Sequence, residues 1–199
     1  MTRQKTALVT GASSGIGHAT VIELANRGYK VFAAARRLEP MKDLESEHGA
    51  VILKVDVLSP ESVLEAKKIL SKETDGYLDI LFNNAGQSCT YPAIDCKDEW
   101  FKQCYEVNVF GQMRVTRELA PLVINAKGVI AFTGSVAALI PLPFNSIYSS
   151  SKAAIHLYAS ILNLEMKPFG VEVINIVTGS VKTSFGDDGS LPENSYYNI

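Results

Sequence analysis

Several absences narrow the field before any motif is considered. Charge bias is missing: 19 Lys and Arg stand against 21 Asp and Glu, a net of −2 over 199 residues. The cations do not cluster either, which argues against a polyanion-binding protein, since counterion release needs many of them together. No apolar run approaches the roughly 18 residues of a membrane span, and Met1–Lys5 does not read as a signal peptide. Cysteine is sparse. Cys89, Cys96 and Cys104 are odd in number and fit neither a disulfide framework nor a zinc motif, so a reduced intracellular chain is expected and no metal is called for. Internal repeats and low-complexity linkers are lacking as well. What is plentiful is apolar residue, 47% of the chain, enough for one core and too much for a disordered polymer. The length suits a single domain over 1–199.

Two kinds of segment alternate. Thr6–Thr10, Lys30–Ala35, Val51–Val55, Leu78–Phe82, Val129–Phe132 and Val171–Val177 are short apolar runs rich in β-branched residues, the pattern of parallel strands covered on both faces. Gly17–Arg27, Pro60–Glu73, Asp98–Val123 and Ser146–Lys167 carry apolar residues at helical steps. Ser59 can cap the helix that Pro60 begins, and Gly28 follows the end of the first. The alternation predicts an α/β fold, a doubly wound parallel sheet between helical layers with right-handed crossovers. The stretch Gly186–Ile199 reads as a loop. Because the chain stops soon after the sixth strand, whose edge would stay unpaired, the expectation is a domain truncated at its C-terminus and lacking a final strand.

The first strand runs straight into Gly11-Ala12-Ser13-Ser14-Gly15-Ile16-Gly17 and then a helix. Glycines there permit a tight turn and close approach of a ligand, while the helix N-terminus offers free N–H groups and a dipole that favours an anion. A pyrophosphate suits that place, although a glycine triplet taken alone also fits a simple turn. NAD-binding chains carry a carboxylate about 20 residues further on, for the ribose 2′-hydroxyl. This chain has Ala33-Ala34-Ala35-Arg36-Arg37 instead. Small residues leave room for a 2′-phosphate and two guanidiniums supply its counter-charge, so NADPH/NADP+ is the expected cofactor. The competing reading is a pair of solvated arginines.

A second constellation is Tyr148-Ser149-Ser150-Ser151-Lys152. Four residues apart, the phenol and the ammonium share one helical face. The ammonium is expected to favour the phenolate, lowering the tyrosine pKa and fitting it to exchange a proton with a reacting oxygen. Ser135, after the fifth strand, can hydrogen-bond the same oxygen. On its own this spacing also describes a packed ring beside a solvated amine.

Together these residues resemble the short-chain dehydrogenase/reductases over essentially the whole chain. Asn83-Asn84-Ala85-Gly86 matches that family's turn after the fourth strand. The resemblance implies Asn108, Ser135, Tyr148 and Lys152 as a catalytic tetrad. Tyr148 would be the acid/base, Ser135 would hold the substrate oxygen, and Lys152 would tune the phenol and bind the nicotinamide ribose. Asn108 would hold a relay water, where its alternative reading is an Asn bonded to its own helix. Cofactor contacts are implied at Gly11, Ser13, Ser14, Gly15, Ile16, Gly17, Arg36, Arg37, Asp56, Asn84, Gly86, Tyr148, Lys152, Val181 and Thr183. One departure stands out: Thr178 replaces the proline that family members carry before Gly179, which is expected to loosen that loop.

Within the family, the strings at Ala35–Met41, Asn83–Thr90, Val107–Gly111, Ser146–His156 and Leu164–Gly170 are similar to the fungal reductases of 1-acyldihydroxyacetone phosphate. That similarity implies a lipid-like ketone substrate, glycerolipid synthesis, and an address at the endoplasmic reticulum and lipid droplets. It also implies peripheral membrane association through a further C-terminal segment, and a homodimer through the two long helices. Retinoids and steroids stay open as substrates. The loop Leu139–Phe144 can line an acyl path or simply pack on the core. A rival lies in Gly11–Gly15, which also reads as the G-x-S-x-G elbow of serine hydrolases around Ser13. The three histidines, His18, His48 and His156, offer it no obvious partner. An inert binding fragment is the third reading.

Overall fold

The computed structural model describes residues 3–183, 185–186 and 191–198. Parts of the expected terminal loop, residues 187–190 and 199, and residues 1–2 lie outside them. The strands are β1 (Thr6–Thr10), β2 (Lys30–Ala35), β3 (Val51–Lys54), β4 (Ile80–Asn83), β5 (Val129–Thr133) and β6 (Glu172–Ile176). They form one sheet in the order β3-β2-β1-β4-β5-β6, with every pair parallel. Alternate residues face opposite layers. Leu8, Phe32, Leu81, Ile130 and Phe132 pack beneath α3 (Pro60–Glu73), α5 (Gln112–Ala126) and α6 (Ser146–Met166). Ala7, Val9, Val31, Ala33 and Ala131 lie on the other side, where α1 (Gly15–Asn26) and the short α2 (Lys42–His48) cover β1–β3. The order reverses between β1 and β4, so the crevice opens at the carboxyl ends of those strands.

Local chemistry sets most boundaries. The Ser59 hydroxyl accepts the Ser62 N–H at 3.1 Å and caps α3. Gly28, Gly49 and Gly170, at φ between +64° and +83°, end α1, α2 and the turn after α6. Helix α2, which the periodicity does not reveal, has a single buried side chain, Leu44, beside Met41 of the preceding 3₁₀ turn.

The expected helix Asp98–Val123 is not continuous. It divides into α4 (Asp98–Tyr105), a π-helical turn over Glu106–Gly111, and α5. The cause is tertiary. A Cβ on Gly111 would sit 2.8 Å from Val57 Cγ2 and 3.0 Å from the Glu106 carbonyl, so glycine lets this turn press against the β3–α3 loop. Wide turns of this kind concentrate at functional sites, and Asn108 lies in the middle of this one. Among the described residues, no helix is long and apolar enough to cross a membrane.

Candidate active site

A cavity of about 440 Å³ lies at the carboxyl ends of the strands. Its floor begins with the glycine turn. Gly11 and Gly15 adopt φ of +65° and +57°, and a Cβ on Gly11 would lie 2.8 Å from Ala85 Cα. Ser14 precedes α1 without spending its side chain on a cap, and the first turn of that helix holds no acidic residue. Its N–H groups and dipole therefore face the cavity uncompensated, which suits a phosphate. Ser13, Ser14, Gly15 and Ile16 all line the space. Gly17 does not: a Cβ there would meet Asn84 Nδ2 at 2.4 Å and the Gly11 carbonyl at 2.5 Å. That glycine serves packing behind the turn rather than ligand contact.

Asn84 lines the cavity, and its side chain is also engaged by the scaffold. Nδ2 donates to the carbonyls of Thr10 at 3.0 Å and Gly11 at 3.2 Å, while Oδ1 accepts the Thr133 hydroxyl at 2.9 Å. The Thr10 hydroxyl in turn accepts the N–H groups of Asn84 and Ala85 at 3.0 and 3.1 Å. This knot ties β1, β4 and β5 together below the crevice.

Ala34, Ala35 and Arg36 line the wall at the end of β2, whereas Arg37 is exposed and outside the cavity. Both arginines are exposed, and Arg36 alone of the two borders the cavity. Asp56 lines the next wall, its carboxylate held by the Leu58 N–H at 3.0 Å. Val181 and Thr183 close the opposite rim, with Thr183 Cγ2 only 2.9 Å from where a Gly15 Cβ would be. Thr178 itself is fixed by two hydrogen bonds. Its carbonyl accepts the Val136 N–H at 2.9 Å and its hydroxyl donates to the Gly134 carbonyl at 3.0 Å. Hydrogen bonds replace the constraint that a proline ring would impose.

The second constellation closes the far end. Lys152 is buried, and its Nζ donates to the Thr133 carbonyl at 2.8 Å. It lies 5.8 Å from the centre of the Tyr148 ring. Burial pulls the lysine down to about 8, because a low-dielectric surround disfavours the ammonium. Burial also pushes the Tyr148 phenol up, with the Ser135 hydroxyl pulling partly the other way. The direction is opposite to the expected lowering, because loss of hydration at the ring is the largest influence on it. Tyr148 is a loaded proton donor at neutral pH. Ser135 begins the 3₁₀ turn Val136–Ala138, its hydroxyl accepting the Ala137 N–H at 3.1 Å.

Asn108 is fully buried, and it bonds across to another loop rather than to its own helix backbone. Oδ1 accepts the Gln87 N–H at 2.8 Å, and Nδ2 donates to the Gln87 carbonyl at 3.0 Å and the Ser151 hydroxyl at 3.1 Å. A Cβ on Gly86 would sit 3.2 Å from Asn108 Oδ1 and 3.7 Å from Lys152 Nζ, so only glycine leaves open space between the two.

Gln87, Asn145 and Phe185 also line the cavity without having been read from the sequence. The Phe185 ring stands 6.0 Å from that of Tyr148. No local motif marks these three. The loop Leu139–Phe144 does not sink into the core: Leu139, Ile140, Leu142 and Phe144 are exposed, Leu142 lines the cavity, and Phe144 meets Tyr197 edge-on. As for the hydrolase elbow, His18 engages Asp43 through Nε2 at 2.8 Å and His156 engages Asn175 through Nδ1 at 2.9 Å, so each has a partner other than Ser13.

With this geometry in place, likeness to other proteins acquires meaning. Residues 5–192 match the family described as short chain dehydrogenase. An NADPH-dependent 1-acyldihydroxyacetone phosphate reductase of Saccharomyces cerevisiae is 52% identical over 98% of this chain and 67% of its own length. The protein of the same name from Schizosaccharomyces pombe is 38% identical over 99% and 69%. Among solved structures, a 3-ketoacyl-(acyl-carrier-protein) reductase from Brucella melitensis, complexed with NADH, superposes with a TM-score of 0.87. It is 27% identical and covers 92% of this chain and 78% of its own. A short-chain dehydrogenase from Streptomyces avermitilis reaches 0.86 at 30% identity, over 96% and 71%.

Proposed function

The chain belongs to the short-chain dehydrogenase family and is an oxidoreductase, and from that premise we propose that it uses NADPH to reduce the ketone of a 1-acyldihydroxyacetone phosphate. The product is 1-acyl-glycerol 3-phosphate, lysophosphatidic acid, an intermediate of glycerolipid synthesis. One observation carries the chemistry: a half-buried phenol, Tyr148, that burial keeps protonated beside the buried amine of Lys152 and the Ser135 hydroxyl. The substrate rests on the two yeast relatives and their names.

The residues fit a phosphorylated dinucleotide. The bare N-terminus of α1 and the cradle at Gly11 and Gly15 accept a pyrophosphate, while Ala34, Ala35 and Arg36 suit a 2′-phosphate. When bound, NADPH supplies the hydride that a carbonyl carbon accepts. The chain supplies the rest. Ser135 and Tyr148 donate hydrogen bonds to the carbonyl oxygen, where negative charge develops, and such preaimed donors supply much of an enzyme's rate. Tyr148 then passes its proton to that oxygen. The Lys152 amine, held by Thr133, offers a positive charge that steadies the phenolate left behind. Asn108 holds Gln87 and Gly86 in place at the head of this group.

The same reading takes in the endoplasmic reticulum and lipid droplets as the site of action. Pairing through α5 and α6 is supported by Leu157, Ile161 and Leu164, which α6 leaves exposed along one face. A panel of ketones, each followed by NADPH oxidation, tests the substrate. The acylated dihydroxyacetone phosphate should show the highest kcat/KM. A steroid or retinoid carbonyl reduced faster, or a preference for NADH, overturns the assignment.

A further inference from the structure

Beside the reductase machinery lies a second cluster with chemistry of its own. Cys89 Sγ lies 4.0 Å from Cys96 Sγ, and the Cys104 thiol meets Cys89 as well. Cys104 reaches further inward: its sulfur accepts Asn108 Nδ2 at 3.3 Å and its thiol approaches the Ser151 hydroxyl at 3.8 Å. Cys96 is partly exposed, whereas Cys89 and Cys104 are buried. A file of sulfur atoms therefore leads from the solvent edge to the side chain of Asn108. Among the described residues, no group of three or more ligating side chains is arranged to hold a metal ion. Adjacent thiols have another chemistry, oxidation to a disulfide, whose sulfurs stand about 2.05 Å apart.

We propose that Cys96 and Cys89 form a hydroperoxide-responsive disulfide that slows the neighbouring reductase site. The Cys96 thiolate attacks the O–O bond of the hydroperoxide, forming a sulfenic acid and expelling the alkoxide, which takes up a proton as the alcohol. Cys89 then attacks the sulfenic sulfur. The S–S bond forms as the S–O bond breaks, and the departing hydroxide takes the Cys89 proton to leave as water. Two thiols lose two electrons and two protons; the hydroperoxide becomes alcohol and water. Cys96 is the entry point because it meets solvent, and Cys89 resolves it because its sulfur is the neighbour.

The bond has a mechanical consequence. Drawing Cys89 toward Cys96 takes it off Cys104. It also pulls on Gln87, two residues earlier, whose N–H and carbonyl are both tied to Asn108. Gln87 and Gly86 line the cavity beside Lys152. A shift of about 1 Å in such a place can cost about a hundredfold in rate, and a loss of about tenfold is expected here.

The disulfide itself is independent of the proposed reaction, while its effect on turnover rests on that reading, so the two are read separately. The protein is treated with hydrogen peroxide, digested without reduction and mapped by mass, and NADPH-dependent ketone reduction is assayed on the same sample. The expected result is one linked peptide pair carrying Cys89 and Cys96, two hydrogens lighter, with turnover lowered about tenfold and restored by dithiothreitol. The variant Cys96→Ser should keep the untreated rate and resist peroxide. A working reductase in which peroxide links no such pair, or in which Cys96→Ser loses rate as the parent does, overturns the proposal. A chain that forms the Cys89–Cys96 bond yet never reduces a ketone overturns the reductase reading alone.

Discussion

Two cations show how much a few ångströms decide. Arg36 and Arg37 are adjacent, chemically alike and both exposed, yet only Arg36 borders the cavity. A charge-assisted hydrogen bond to a phosphate contributes about 1.5–3 kcal/mol. Arg36→Ala should therefore raise the KM for NADPH by roughly ten- to a hundredfold and leave NADH little changed, while Arg37→Ala should change either by about twofold at most. Steady-state kinetics with both cofactors checks this. Lys152 carries the second residue-scale prediction. Its amine falls from an ordinary 10.5 to about 8 because it is buried. Between those values the unfolded chain holds a proton that the folded site has released, so folding stability rises with pH from about 8 upward. Below about 8 both states are charged and the full cost of burying the ammonium, about 3 kcal/mol, is present. Melting curves at pH 7 and pH 9.5 should thus show a stabilisation in the parent that Lys152→Met lacks. In the same range, kcat/KM for reduction should decline above about pH 8 as the supporting charge is lost.

Elements place these residues, and the contacts that fix the elements are often far apart in sequence. Gly17 sits in the first turn of α1, but its need for glycine comes from Asn84, on the loop after β4. Gly17→Ala forces a methyl group against a carbonyl and an amide already engaged, and overpacking of this kind costs about 1–3 kcal/mol. The variant should melt earlier and bind NADPH more weakly, as differential scanning calorimetry with and without cofactor would show. The same distance explains what could be read from sequence. The turn from β1 into α1, the Ala-Ala-Arg end of β2 and the Tyr148–Lys152 pair were legible because each is local, set by spacing within a single element. The π turn around Asn108 was not, since it follows from Gly111 meeting Val57 across the fold. Nor were the inward roles of Gly17 and Asn84, nor the hydrogen bonds by which Thr178 stands in for a proline. The direction in which the Tyr148 pKa moves depends on burial, which no helical spacing reports. Helix α2 escaped notice because seven residues with one buried leucine have no periodicity to detect.

On the scale of the molecule, a sheet in the order β3-β2-β1-β4-β5-β6 gathers six strand ends at one crevice. The left half, β1 to β3, builds the glycine-turn side of the cavity, where the proposed pyrophosphate would lie. The right half, with α6 and the wide turn before α5, brings in the phenol, the amine and the serine. Neither half is a reductase alone, and the scaffold knot at Thr10, Asn84 and Thr133 keeps them in register. The whole arrangement converges on one hydroxyl. Single-turnover reduction of 1-acyldihydroxyacetone phosphate at saturating NADPH, compared between the parent chain and Tyr148→Phe, interrogates that hydroxyl directly. Loss of a positioned general acid should slow lysophosphatidic acid formation by about 10²–10⁴-fold. A phenylalanine variant that retains most of the parent's rate would contradict the account at its centre.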